Sequence, residues 1–242
     1  MRHDGAMRDQ ARQGVRLGAT FATALVGLLF FASQAGAVTI SADPEENLFA
    51  GSPFSQTSGT LADFTNPGPP NATPHNVYAD RNGPDGGPLF FTSRVVAPGT
   101  TVPVRGTEYL SAGSYRFNCT LHSGMDGVLE VTSGTPVPRP TVTPKVRSSS
   151  LDSVRRKRKI DLSLKASRVT GPVKVTVKVK GKVVATAGSG SLEAGKARNL
   201  SAKLSSKGRK AIAKGSSVKF QVTGVAEFGT PKTVSRVLRS GR

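Results

Sequence analysis

The amino-acid sequence predicts an all-β protein with two successive sandwich domains. Glycine and proline are abundant, with 27 and 16 residues among 242, and tryptophan is absent, which favours short strands and turns over long amphipathic helices. Apolar and polar residues alternate in several short segments, and this is the period of a half-buried strand. The charge changes sign abruptly along the chain, which indicates a domain boundary.

The first element in the chain is a predicted signal peptide, residues 1–37. Four arginines precede the apolar run LGATFATALVGLLFFA, which is followed by the small residues Ala35, Gly36 and Ala37, a pattern that signal peptidases accept. The run is short for a membrane span, so cleavage before Val38 is favoured over an uncleaved anchor. We therefore expect an exported protein that is secreted or associated with the cell envelope.

The charge divides the remaining chain into two parts. Residues 38–135 contain nine acidic and four basic residues, a net charge of −5, whereas residues 136–242 contain four acidic and 26 basic residues, a net charge of +22. Between them, TSGTPVPRPTVTPK is rich in proline, which favours an extended and semi-rigid spacer. We therefore predict a first domain at 38–133, a linker at 134–147 and a second domain at 148–242.

The single cysteine of the chain lies in FNCTLHSGMDG, residues 117–127. In the preceding GSYRFNC, the residues Tyr115, Phe117 and Cys119 alternate, so a strand places the thiol on the same face as two aromatic rings. VLEV, after the loop, again has the pattern of a strand. Exported proteins usually pair their cysteines, so an unpaired one is a buried apolar residue, an intermolecular link or a metal ligand.

Further metal-binding side chains accompany this cysteine. His122 and Met125 follow it at intervals of three residues, and His75, in NATPHNVYAD, supplies the second histidine beyond the leader. A thiolate, two imidazoles and a thioether suit both oxidation states of copper, whereas structural zinc sites prefer several thiolates. Each residue taken singly is more often a packing or surface residue, but their conjunction in this order favours a copper site.

These residues resemble the plastocyanin and azurin type of cupredoxin, the blue copper proteins. The resemblance rests on GSYRFNCTLHSGMDGVLEV and SGTLADFTNPGPPNATPHNVYAD, covers residues 38–133, and includes a short ligand loop similar to that of amicyanin. It implies a Greek-key β-sandwich that binds one copper ion per chain. The implied strong ligands are His75, Cys119 and His122, and the implied weak axial ligand is Met125.

The resemblance also implies roles for residues around the ligands. Asn76 and Thr120 would join the two ligand-bearing segments by hydrogen bonds near the cysteine sulfur. His122 and Leu121 would form the electron port towards a redox partner. Leu121 stands where the family often has proline, and Asn118 stands where plant plastocyanins have an aromatic residue, so the partner and the potential stay open.

The predicted function is the transfer of single electrons, and the chain is not expected to be an enzyme. Oxidases and nitrite reductases that contain such a domain need a second copper centre with several more histidines, and this chain has three histidines including His3 in the leader. The alternative is copper capture or delivery outside the membrane, because the same soft ligands would serve it. Electron transfer requires a redox protein as partner, whose identity the sequence leaves open.

The basic second half has a clear strand pattern. In VKVTVKVK, the four valines from Val173 to Val179 share one face, and similar alternation occurs around Leu162 and Phe220, whereas SSKGRKAIAKG indicates a short helical turn. These short strands predict a small immunoglobulin-like β-sandwich.

The lysines and arginines of this half have two interpretations. They form a solvated face, or they attach the protein to an anionic polymer of the cell envelope or to a membrane surface. Nucleic-acid binding is disfavoured, because export is predicted and no aromatic side chains accompany the basic run VRRKRK.

Overall fold

The computed structural model describes residues 37–69, 73–92 and 95–241. The predicted signal peptide lies outside these ranges except for Ala37. Within them, no helix is long and apolar enough to cross a membrane. Strands predominate over two short α-helices and one turn of 3-10 helix in the same ranges, so the predicted all-β class is confirmed.

Nine strands of the first half are joined into one hydrogen-bonded sheet. They are β1 (Thr39–Ala42), β2 (Phe49–Ala50), β3 (Phe54–Thr57), β4 (Ala62–Asn66), β5 (Tyr78–Ala79), β6 (Phe91–Thr92), β7 (Thr100–Arg105), β8 (Gly113–Asn118) and β9 (Asp126–Thr132). The order is β2-β1-β4-β7-β6-β5-β8-β9-β3. β1 pairs with β4 and β3 with β9 in parallel, and the other neighbours are antiparallel.

This sheet folds over a single core. The ring of Phe49 in β2, near one end of the strand order, lies 4.8 Å from that of Phe117 in β8, towards the other end. Phe64 and Phe90 are fully buried in the same core. Because burial of each aromatic ring adds roughly 1.5–3 kcal/mol to the free energy of unfolding, these rings stabilise the packing of the two layers of the sandwich.

The second half forms two smaller sheets and two short helices. Its elements are β10 (Val142–Val146), α1 (Leu151–Lys157), β11 (Lys159–Ala166), β12 (Val173–Val179), β13 (Lys182–Ser189), β14 (Ala197–Lys203), α2 (Ser206–Ile212), β15 (Ser217–Ala226) and β16 (Lys232–Arg239). The sheets have the orders β10-β11-β14 and β13-β12-β15-β16, and all of their pairs are antiparallel. The valines of β12 and the leucines of β11 share one core. A second β-sandwich is therefore present, and its immunoglobulin-like arrangement stays a prediction.

Strand β10 differs from the sequence interpretation. It lies within the segment predicted as a linker, and its residues Val142 and Val146 are buried in the second core. Pro144 is tolerated there because β10 is an edge strand of its sheet. The extended spacer therefore ends before Val142, and its prolines mark the start of a strand as well as a connection.

Helix α1 was not predicted, because its sequence was interpreted only as a basic run. The hydroxyl of Ser150 caps the helix by accepting a hydrogen bond from the Ser153 N–H. Leu151 and Val154 are buried on its inner face. The run VRRKRK is therefore partly a structural helix, whose arginines and lysines lie near its C-terminal end, where the helix dipole favours positive charge.

The two cores meet at Phe228, in the connection between β15 and β16. Its ring packs 5.3 Å from Phe91 and 6.1 Å from Tyr109 in the first half, and the guanidinium of Arg105 lies 5.5 Å from its centroid. Gly106 is required beneath it, because a Cβ there would lie 2.7 Å from the ring and φ is +101°. An aromatic side chain of the second half thus fills a recess in the first.

Polar contacts surround this ring. The backbone N–H of Phe228 donates to Asp85 at 2.8 Å, and Arg139 donates to the Phe228 carbonyl at 3.0 Å. Arg105 pairs with Glu227. A partly exposed ion pair adds only about 0.2–1 kcal/mol to the free energy of unfolding, whereas burial of an aromatic ring adds roughly 1.5–3 kcal/mol. The Phe228 ring therefore contributes most of the stability of this contact.

The first prediction concerns Gly127, in β9 beside the ring of Phe117. A Cβ at this position would lie 2.3 Å from Cζ of Phe117, whose ring is enclosed by other aromatic side chains. We expect Gly127→Ala to lower the free energy of unfolding by about 1–3 kcal/mol through overpacking, as measured by denaturant titration. Gly188→Ala is the control, because its Cβ would meet only a carbonyl at 3.7 Å at an exposed position of β13. Equal stabilities of the two variants would contradict the packing described for Phe117.

Candidate metal centre

Three of the four predicted ligands lie in the tight loop between β8 and β9. The His122 N–H donates to the Cys119 carbonyl, and the Met125 N–H donates to the His122 carbonyl, so the loop makes two successive turns. Gly124, at φ +79°, allows the second turn. The Cys119 N–H then donates to the Met125 carbonyl at 2.9 Å, which closes the loop and brings Met125 back beside Cys119.

The fourth predicted ligand, His75, lies on a separate segment. Its backbone forms a two-way bridge with Val96, with N–H to O distances of 3.1 and 2.7 Å. β5 follows at Tyr78 and pairs antiparallel with β8 in a register that sets Tyr78 opposite Asn118. Since the two strands run in opposite directions, this register carries His75 past the end of β8, towards the ligand loop.

The thiol and the two imidazoles converge. Cys119 Sγ lies 3.5 Å from Nδ1 of His122 and 4.0 Å from Nδ1 of His75, and the three donor atoms all lie within 4.8 Å of one another. His75 and Cys119 are buried, and His122 is half-buried. Met125 is fully buried in the same loop. The donor types predicted from the sequence are thus gathered from two segments at one end of the sandwich.

A hydrogen-bond chain orients His75. The Thr73 hydroxyl donates to Oδ1 of Asn47 at 3.2 Å, and the oxygen of that hydroxyl lies 3.1 Å from Nε2 of His75. Because a hydroxyl has one proton, this oxygen accepts from the Nε2–H, and Nδ1 is left with its lone pair towards the thiol. Nδ1 is the nitrogen that a metal ion would use.

Burial acts on the charge of the same imidazole. Desolvation lowers the pKa of His75, and the neighbouring imidazole of His122 lowers it further. The neutral form is therefore favoured at neutral pH. Only neutral imidazole binds metal ions, so this environment prepares His75 for coordination.

Asn76 and Thr120 join the two ligand-bearing segments. The Thr120 N–H donates to Oδ1 of Asn76, and Nδ2 of Asn76 donates to the Thr120 hydroxyl, both at 2.8 Å. Asn76 follows His75, and Thr120 follows Cys119. The paired bonds therefore hold the imidazole-bearing segment against the thiol-bearing loop, at the two residues that the sequence had singled out.

The exposed side of the loop carries Leu121. Its side chain is 46% exposed and precedes the half-buried His122, so it lies at the surface and outside the donor cluster. Asn118, on the other side of the thiol, donates to Asp80 at 3.1 Å. An apolar side chain at Leu121 and a polar pair at Asn118 thus flank the cluster.

Sequence reasoning missed Thr73. The sequence contained an indication of this role, because Thr73, with its hydroxyl group, stands two residues before His75 in NATPHNV. A ring nitrogen that does not bind metal usually donates to a nearby acceptor, and such a partner is sought among local hydroxyl and carboxylate side chains. Asn47 was not identifiable in this way, because it comes from a distant part of the chain.

The donor set fits copper. A buried thiol with two imidazoles and a buried thioether nearby combines soft sulfur with borderline nitrogen, which is suited to Cu(I) and Cu(II). Structural zinc sites usually contain several thiolates, and the described residues contain one cysteine. His75, Cys119 and His122 are therefore the residues that would hold the ion, with Met125 beside them.

Comparison with known proteins adds structural matches. No protein-family model and no curated protein sequence matches the chain. Amicyanin from Paracoccus versutus (Thiobacillus versutus) matches over 40% of this chain and 83% of its own, at 22% identity and a TM-score of 0.32. Auracyanin B matches over 40% of this chain and 88% of its own, also at 22% identity and a TM-score of 0.32.

Another matched structure extends beyond the first half. It is a DUF3823 family protein from Parabacteroides merdae, which covers 85% of this chain and 98% of its own, at 14% identity and a TM-score of 0.27. Amicyanin and auracyanin B are cupredoxins, the family that the ligand motif resembles. At these identities and scores, the assignment of the ligands rests on the residues of this chain.

The second prediction tests the orientation of His75. Thr73→Val removes the acceptor of the Nε2–H, so the ring loses its preferred tautomer and we expect copper affinity to fall about 10–100-fold. Competition titration against a copper chelator measures this change. Thr73→Ser keeps the hydroxyl and should bind as the wild type does, and a wild-type affinity in Thr73→Val would exclude this role.

The third prediction concerns the pH dependence of the metal-free protein. The pKa of His75 is lowered on folding, so at acidic pH the unfolded chain binds more protons than the folded chain. The contribution of His75 to the free energy of unfolding is therefore fully present above the ordinary histidine pKa of about 6.5 and is lost as the pH falls below it. Thermal unfolding at pH 7.5 and pH 5.5 measures this loss, and His75→Asn should reduce it. An unchanged pH dependence in the variant would argue against the buried neutral imidazole.

Proposed function

We propose that this protein is an exported type 1 copper protein that carries single electrons between redox partners. One copper ion per chain would be held by His75, Cys119 and His122, with Met125 as a weak axial ligand. The observation that supports this proposal is the convergence of one buried thiol and two imidazoles, one buried and one half-buried, whose donor atoms lie within 4.8 Å of one another. The chain would act as an electron carrier, and it would catalyse no reaction by itself.

Bound copper would supply a one-electron couple between Cu(I) and Cu(II). The residues of the chain limit how far the donor atoms move. The backbone bond between Cys119 and Met125 closes the loop, and the Asn76–Thr120 bonds join it to the segment of His75. A site held in this way reorganises little, because its ligands are oriented by neighbours before the ion binds.

Access to the centre would lie on the side of His122. This imidazole is half-buried, whereas His75 is fully buried, and the exposed Leu121 lies next to it. A redox protein that docks on Leu121 would approach the His122 ring without entering the core.

Copper capture and delivery is the competing function. It requires a site from which the ion leaves readily, and such sites are open to exchange. Burial of His75, Cys119 and Met125 argues for retention of the ion. Electron transfer is therefore the better supported of the two functions.

The fourth prediction tests the proposed site through its colour. We expect the copper-loaded protein to be intensely blue, to contain one copper ion per chain and to cycle reversibly by one electron. Cys119→Ser should abolish the colour, because it removes the thiolate, whereas Ser123→Ala in the same loop should retain it. Visible spectroscopy, elemental analysis and voltammetry provide these measurements.

Two outcomes separate the alternatives. A colourless wild-type protein that exchanges Cu(I) freely with a chelator would favour capture or delivery over electron transfer. A blue Cys119→Ser variant would refute the ligand assignment.

A further inference from the structure

The outer face of the sheet β10-β11-β14 carries two rows of polar side chains. The rows follow the strand register, which places one residue of each strand side by side. They are Lys145, Ser163 and Asn199 in the first row, and Arg147, Asp161 and Ser201 in the second. The alternate residues of these strands, including Val146 and Leu162, face the core.

These rows line a continuous groove. One part has a volume of about 420 Å³ and is lined by Lys145, Arg147, Ser163, Asn199 and Arg236 beside a valine. The adjoining part has a volume of about 320 Å³ and includes Arg147 and Asn199 again. Because the two parts share these two residues, they adjoin and form one shallow depression on the sheet.

Arg236 reaches this groove from the other sheet. It lies in β16, and one of its guanidinium nitrogens donates to the Val146 carbonyl at 2.8 Å. That carbonyl is available because β10 is an edge strand. A guanidinium has five N–H donors, so the bond that fixes its position leaves others for a ligand.

The charge of the groove is not compensated within the described parts of the protein. Neither Lys145 nor Arg147 forms an ion pair there. Asp161 is the carboxylate that lines the groove, and it accepts from the Ser201 hydroxyl at 2.6 Å. Two lysines also lie within 4.0 Å of it, at 3.8 and 3.9 Å. Its negative charge is therefore neutralised by neighbours, and the cations of the groove stay available.

We propose that this groove binds an extended anionic polymer whose chain carries hydroxyl groups together with carboxylate or phosphate groups. Guanidinium and ammonium groups recognise carboxylate and phosphate by charge-assisted hydrogen bonds. The serine and asparagine side chains between them match hydroxyl groups. The site is separate from the metal centre, so it does not depend on the proposed electron transfer.

The lining disfavours other anionic partners. It contains no aromatic side chain on which a nucleobase could stack. None of the large apolar side chains that are exposed in the described ranges lies in the groove, so it offers nothing for insertion between lipids. A polar lining without exposed apolar side chains fits a soluble or wall-bound polymer better than a bilayer.

The test compares two variants with the same change in net charge. Lys145→Gln with Arg147→Gln removes two cations from the groove, whereas Lys174→Gln with Lys178→Gln removes two exposed cations from β12 in the other sheet. Binding of the purified protein is measured at about 150 mM salt, where diffuse charge is strongly screened. The probes are polygalacturonate for carboxylate, polyphosphate for phosphate, dextran as neutral polymer, vesicles of phosphatidylcholine and phosphatidylglycerol, and duplex DNA.

We expect the wild type to bind at least one of the two anionic polymers and not dextran, and the stronger of the two identifies the anionic group. The groove variant should lose at least about tenfold in affinity, because two charge-assisted hydrogen bonds are removed, and the β12 variant should lose less than about threefold. A charge-conserving variant, Lys145→Arg with Arg147→Lys, should retain binding, because positive charge at these two positions is what the polymer requires.

Three results would overturn the proposal. The first is an equal loss in the groove and β12 variants, which would mean that net charge alone attracts the polymer. The second is the absence of binding to both anionic polymers. The third is tighter binding to the vesicles or to DNA with the same dependence on Lys145 and Arg147, which would reassign the groove to a lipid surface or a nucleic acid.

Discussion

The hydrogen bond from the Cys119 N–H to the Met125 carbonyl is the constraint on which the candidate metal centre depends. It continues the antiparallel register of β8 and β9, in which Asn118 pairs with Asp126, by one further step into the loop. The loop is therefore an extension of the sheet. The thiol and the thioether are buried because they continue the inward faces of two strands whose Phe117 and Leu129 lie in the core.

The other half of the centre depends on long-range order. His75 is fixed by its bridge to Val96, by full burial and by the neighbouring Thr73 hydroxyl, which in turn contacts the distant Asn47. Burial favours the neutral ring, and the Thr73 oxygen selects which nitrogen keeps its proton. The same packing that excludes water thus also prepares the imidazole to bind a metal ion.

The acidic and basic halves have separate cores, and a single aromatic side chain makes the main contact between them. Phe228 lies against Phe91 and Tyr109, where Gly106 leaves room for its ring. This contact attaches the strongly basic second half to the half that carries the metal ligands. The proposed groove and the metal centre lie on different sheets, so substitutions in one leave the residues of the other in place.

The sequence by itself determined the local features. Alternation placed Phe117 and Cys119 on one inward face and the valines of β12 on another, because side-chain direction in a strand depends only on position along the chain. The sequence also predicted the types of metal-donor side chain, their spacing in the loop and the division of the chain into an acidic and a basic half. The pairing of His75 with Cys119 also followed, but only from the shortage of other histidines.

The tertiary structure decided what depends on partners distant in sequence. The bridge of His75 to Val96, the contact of Thr73 with Asn47 and the pairing of β10 inside the predicted linker all required it. So did the cationic groove, whose rows come from three strands and whose Arg236 comes from another sheet. The physical reason is that strand register and burial are set by the packing of the whole chain, whereas periodicity reports only on neighbouring residues.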